Sequence, residues 1–150
     1  MALIQIAWSE DNVALLDPLS CDLTPLSGLF ESEIKFVMHA AAQDLEVFLR
    51  VCGSVPKRLF DTQIAAGFLG LSTPSLAVLH QQYLGMDLPK EDRMTNWLSR
   101  PLTERQKTYA ASDVRDLIAI YDFQTSRLNE LGRLAWVEDE CKSFLERELV

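Results

Sequence analysis

The stretch from residue 34 to residue 62 constrains this chain most. "IKFVMH" (Ile34–His39) is a short apolar run of strand type. "AAAQDLEVFLRVCG" then places Leu45, Phe48 and Leu49 at helical spacing and stops at Gly53, and "RLFDT" (Arg58–Thr62) is short and apolar again. A strand, a helix and a strand in so short a span predict a parallel pair with a helical crossover, because parallel strands cannot be joined by a tight turn. A parallel sheet needs helices over its faces, which commits the chain to a layered α/β fold.

The rest of the sequence fits around that unit. "ALIQIAW" (Ala2–Trp8) and "NVALLDPL" (Asn12–Leu19), separated by polar residues, predict an antiparallel hairpin. "TPLSGLFES" predicts a short helix capped by Thr24 with Pro25 at its first position. After the parallel unit come helical "TQIAAGFLG" and "SLAVLHQQYLG", then a segment without a clean period from Asp87 to Pro101, read as a loop with a helical turn. Thr103 and Gln106 form a capping-box pattern that opens one long helix ending at Gly132, bent near Ala110 to Ser112, and "EDECKSFLEREL" predicts a terminal helix. No internal repeat or linker divides the 150 residues, so a single domain is expected, with a mixed sheet flanked by helices.

Charge and cysteine usage remove several classes of function. No apolar run approaches the roughly 18 residues of a membrane span. The start lacks a basic leader with a small-residue cleavage site, so a cytoplasmic location is expected. Cys21, Cys52 and Cys141 have no metal-binding or disulfide spacing and read as buried or half-buried thiols. A net charge of −8 argues against a general nucleic-acid coat, but the charge is uneven: Pro89 to Arg115 carries +2 and the remainder −10. That strip is either a solvated face or a contact for a phosphate-bearing substrate.

Three residues are candidates for chemistry. Tyr109 and Asp113 are four apart on a helix and share a face, with the small residues Ala110, Ala111 and Ser112 around them. Asp44 falls in the first turn of a helix that follows a strand end, where α/β folds place their sites. Each of these patterns also fits ordinary helix surface. Asp61 reads as an N-cap, His80 as helix surface or core edge, and Trp97 as a core tryptophan under a loop rather than a base-stacking platform.

Taken together, "FVMHAAAQDLEVFLRVCG", "LFDTQIAAGF" and "NWLSRPLTERQKTYAASDV" resemble the exonuclease domain of ribonuclease D, within the DEDD family of 3′-5′ exonucleases. His39 to Phe48 is similar to that family's second motif, with Asp44 its carboxylate, and Tyr109-x-x-x-Asp113 to its third motif in the tyrosine-bearing subclass. The resemblance implies a ribonuclease H-like fold and hydrolysis of RNA 3′ ends assisted by two divalent ions, Mg2+ or Mn2+, releasing nucleoside 5′-monophosphates. It implies that Asp44 and Asp113 are metal ligands, that Tyr109 orients the attacking water, and that Lys90, Arg93, Arg100 and His39 meet the nucleic acid. Transfer RNA precursors and single-stranded DNA are among the substrates it allows.

The family's first motif, Asp-x-Glu on a strand, is absent. Asp44-Leu45-Glu46 is the sole Asp-x-Glu here, and on a helix its carboxylates diverge. The family also often has aspartate where Asn96 stands. The sheet order the resemblance implies makes the motif-bearing strand central, so its absence leaves two open edges in mid-sheet. Three outcomes are open: the edges pair directly, a second copy fills the gap as a homodimer, or the natural protein carries a strand before Met1. The last is favoured, and the chain alone is expected to hydrolyse little. A lapsed exonuclease fold that binds nucleic acid or protein without cutting is the alternative.

Overall fold

The computed structural model describes residues 2–89 and 95–148. Its strands are β1 (Ile4–Ser9), β2 (Asn12–Leu16), β3 (Lys35–Met38) and β4 (Arg58–Asp61). Its helices are α1 (Leu26–Phe30), α2 (Ala42–Cys52), α3 (Thr62–Gly67), α4 (Leu76–Leu79), α5 (Glu104–Arg115), α6 (Leu117–Glu130) and α7 (Leu134–Glu148), with a π-helical turn, His80–Leu84, continuing α4.

The hairpin is antiparallel from Ile4↔Leu16 to Ser9↔Asn12, and β3 and β4 are parallel from Lys35↔Arg58 to Met38↔Asp61, with α2 as the crossover. Among the described residues the strands form two separate two-stranded sheets, β1-β2 and β3-β4. Direct pairing of the two edges, one of the three outcomes above, is therefore overturned. The helices explain how the halves are held apart. Phe30 packs with Phe36 and Phe48 in a cluster that includes Ile4, Leu23 and Leu26, so α1 and α2 bridge hairpin and parallel pair on one side. On another side α5 lies against the hairpin, α6 against β3, and α7 against β4 and α3. Phe60, Ala65, Leu128, Val137 and Cys141 make the core between β4 and these helices.

Several local expectations change. Thr24 does not cap α1; its hydroxyl donates to Asp22 Oδ1 at 2.7 Å and Pro25 occupies the N-cap. The expected long helix breaks at Asp116 (φ −103°, ψ 7°), not at Ala110 to Ser112, which lets α5 and α6 each follow its own half of the sheet. Of the cysteines, Cys21 is exposed, Cys52 is half-buried and Cys141 is buried. Among the described residues no helix is long and apolar enough to cross a membrane.

Candidate active site

The chain must turn sharply between β3 and α2, and the turn is built from Asp61. Ala40 takes φ +52°, left-handed for a residue with a side chain. The buried Asp61 carboxylate accepts the Ala40 N–H at 3.1 Å and the Ala41 N–H at 2.9 Å. It also accepts the Gln63 and Ile64 N–H groups at 2.8 and 3.4 Å, capping α3 as its sequence position predicts. One carboxylate thus fixes the starts of two helices. The sequence showed the cap on α3; the long-range clamp on Ala40 and Ala41 leaves no local pattern to find.

Asp44 follows in the first turn of α2 and lines a groove of about 570 Å³. Both halves of the fold contribute to its lining, Ala2 to Gln5 at the hairpin and Val37 to His39 at β3. Asp113, from the opposite side, lines the same groove, so the two carboxylates that sequence placed 69 positions apart come together. Tyr109 sits one turn before Asp113 and lines a cleft of about 230 Å³ with it and with Ala2, Leu3 and Gln5. The capping box at Thr103 and Gln106 is fully formed and pins the start of α5, and the Gln106 amide also donates to Asn96 O at 3.3 Å.

Electrostatics mark Asp44. Burial, and then the Asp61 carboxylate, push its pKa above the ordinary carboxylate range, so its charged form lacks compensation. His39 lines the groove, with Nδ1 2.9 Å from Thr62 Oγ1, and burial pushes its imidazole below the usual histidine range. A neutral ring fixed by Thr62 can shape the groove without adding positive charge.

The expected phosphate contacts fare differently. Arg100 uses all its N–H groups inside the protein: Nε and Nη2 donate to Asp17 at 2.8 and 2.9 Å, Nη2 to Ala2 O at 2.8 Å, and Nη1 to Trp97 O and Ser99 O at 2.6 and 3.1 Å. It ties the loop before α5 to the hairpin. Lys90 and Arg93 lie outside the described residues. His80 is fully buried, not at the surface, with Nδ1 2.9 Å from Leu76 O and Nε2 3.9 Å from Asp116 Oδ2. Trp97 is half-buried and packs on Tyr109 at a centroid distance of 5.9 Å, outside the hydrophobic clusters.

Hard carboxylate oxygens in a groove suit Mg2+ or Mn2+. Among the described residues, though, no three His, Cys, Asp or Glu side chains gather into a metal cage. Asp44 and Asp113 fit part of such a coordination shell, and two dications held close together need more negative charge than this pair supplies.

Comparison with known proteins identifies the family and the fold. The profile of a 3′-5′ exonuclease family matches residues 1–129. Ribonuclease D of Pseudomonas paraeruginosa is 44% identical over 128 residues, covering 83% of this chain and 34% of that protein. The crystal structure of Escherichia coli RNase D, described as an exoribonuclease involved in structured RNA processing, superposes with a TM-score of 0.90 at 39% identity, covering 98% of this chain and 40% of that one. Brucella melitensis NrnC with bound Mg2+ shares the fold, with a TM-score of 0.82 at 24% identity over 97% of this chain and 73% of that one. The chain therefore spans 34% to 40% of the two ribonuclease D chains it matches here.

Proposed function

This chain belongs to the 3′-5′ exonuclease family, with an exonuclease domain of ribonuclease D type, and from that premise we propose that its groove removes nucleotides from RNA 3′ ends. The observation that carries the reading is the convergence of Asp44 and Asp113 on one groove with Tyr109 at its rim. Asp44 and Asp113 would hold divalent cations, and the raised pKa of Asp44 supports this, because a nearby cation supplies the compensation its charge lacks. Bound there, Mg2+ or Mn2+ would activate water and stabilise the leaving 3′-oxygen. Tyr109 would orient the attacking water through its hydroxyl, and His39, neutral and fixed on Thr62, would shape the seat of the terminal nucleotide.

Among the described residues β1 pairs only with β2 and β3 only with β4, and both strands contribute residues to the groove lining, so a strand laid between them would join the two sheets. We infer that a strand carrying an Asp-x-Glu pair, laid there, would bring the remaining carboxylates, since the chain's own Asp-x-Glu lies on α2. RNA processing of this kind belongs in the cytoplasm, and transfer RNA precursors are suitable substrates. The chain by itself also supports a second reading, a module that grips a 3′ end without cutting it, because the described residues provide no complete metal cage.

The test is Mg2+-dependent release of nucleoside 5′-monophosphates from a 3′-labelled RNA by an N-terminally extended form carrying an Asp-x-Glu strand. Asp113→Asn should lower the rate by about 10³-fold or more, and Tyr109→Phe by about 10²- to 10³-fold, as for loss of one positioned catalytic group. Unchanged rates in both variants would remove these residues from the mechanism.

A further inference from the structure

Beside the groove lies a second pocket that the hydrolytic chemistry does not use. It is about 470 Å³, within the size range of small-ligand sites, and its walls include Thr95, Asn96, Trp97, Arg105 and Tyr109. The cleft of Tyr109 and Asp113 connects the two spaces, sharing Ala2, Leu3, Gln5 and Asp113 with the groove and Trp97 and Tyr109 with the pocket. We propose that this pocket is a nucleobase subsite, in which one unstacked base of the RNA strand lies on the Trp97 indole while its backbone continues past Tyr109 to the groove. The proposal rests on the exonuclease reading for the identity of the strand, and on the pocket alone for the seat of the base.

Three features support it. Trp97 is half-buried and makes a tilted contact, 45° between planes, with Tyr109; an indole serving only as core filler would be closed in by apolar side chains. The wall behind it is rigid, because Thr103 and Gln106 are locked in the capping box and Gln106 also holds Asn96 O, so little order has to be created when a base enters. The rim carries suitable polar groups. Asn96 Oδ1 accepts the Leu98 N–H at 3.0 Å, so its amide nitrogen is the end left to donate to a base edge. Arg105, exposed at the second position of α5, is the cation lining the pocket among the described residues and can neutralise an adjoining phosphate. Stacking accepts any base, which suits an enzyme that must step through varied sequence.

The experiment measures affinity of the 150-residue chain for 5′-labelled single-stranded oligoribonucleotides in EDTA, with one abasic ribose moved stepwise from the 3′ end. The wild-type chain should lose roughly 5- to 150-fold at a single position and little at its neighbours, the range that base–aromatic stacking spans. Trp97→Ala should lose that amount on the intact strand and become indifferent to the abasic residue there, and Trp97→Phe should recover most of the loss. Equal weakening of intact and abasic strands by Trp97→Ala would mean a purely structural tryptophan and overturn the proposal. So would an abasic series without a position-specific drop, or a wild-type chain that binds no strand. If Trp97→Ala fails to fold, the abasic series on wild type and Trp97→Phe still decide. The exonuclease reading stands or falls separately, on metal-dependent cleavage.

Discussion

At the scale of single residues, the buried Asp61 carboxylate holds the backbone of two helix starts while its charge weighs against that of Asp44. Asp61 is 2% exposed and anchors four backbone N–H groups across two helix starts. Asp61→Ala strands those donors in the interior, and we expect a loss of about 2–4 kcal/mol in urea unfolding. Asp61→Asn keeps one acceptor oxygen and should lose less. Asp44 works the other way, because burial and the neighbouring Asp61 charge raise its folded pKa above the unfolded value. Between those two values the native state keeps the proton that the unfolded state has released, so stability falls as pH rises through that window. Below the unfolded carboxylate range both states are protonated and the effect vanishes. Asp44→Asn should therefore unfold at a higher temperature than wild type at pH 7 and at the same temperature near pH 3. Added Mn2+ should narrow the pH 7 difference if Asp44 is a ligand.

At the scale of elements, the loop before α5 is tied to the hairpin by Arg100. The Arg100 hydrogen bond, and then the Leu19 N–H, hold Asp17 down to about 2. A carboxylate with a lowered folded pKa contributes stability above its unfolded value, and that contribution is lost as pH falls towards the folded one. Arg100→Gln should lower the thermal midpoint at pH 7, with the gap narrowing as pH approaches 2 because only the Asp17 part of its contacts titrates. Local chemistry made much of this level readable in the sequence. Gly53 at φ +69° ends α2, the Thr103 and Gln106 box begins α5, and Asp61 caps α3, because each is decided by residues a few positions apart. Arg100 reads as a surface cation because its partners, Asp17 and Ala2, are 83 and 98 positions away. The break at Asp116 is likewise hidden, since it answers to the separation of two sheets and not to any helix-breaking residue.

At the scale of the whole molecule, the sequence announced a hairpin and a parallel pair, and the structure keeps them as two sheets around a groove that holds both acidic candidates. Pairwise convergence of Asp44 and Asp113 followed from motif order, whereas the pocket beside Trp97 did not, because a half-buried tryptophan and a core tryptophan look alike in sequence. Two open strand edges also predict behaviour in solution. The chain alone should associate with concentration in sedimentation velocity, and a form whose added strand joins β1 to β3 should remain monomeric. The central claim is that the groove is a nuclease site that needs that strand. It is tested most directly by assaying the 150-residue chain and the N-terminally extended form side by side on a 3′-labelled RNA with Mg2+. The account predicts rapid release of nucleoside 5′-monophosphates by the extended form and near-background release by the short chain. Equal activity in the two forms, or none in the extended one, would contradict it.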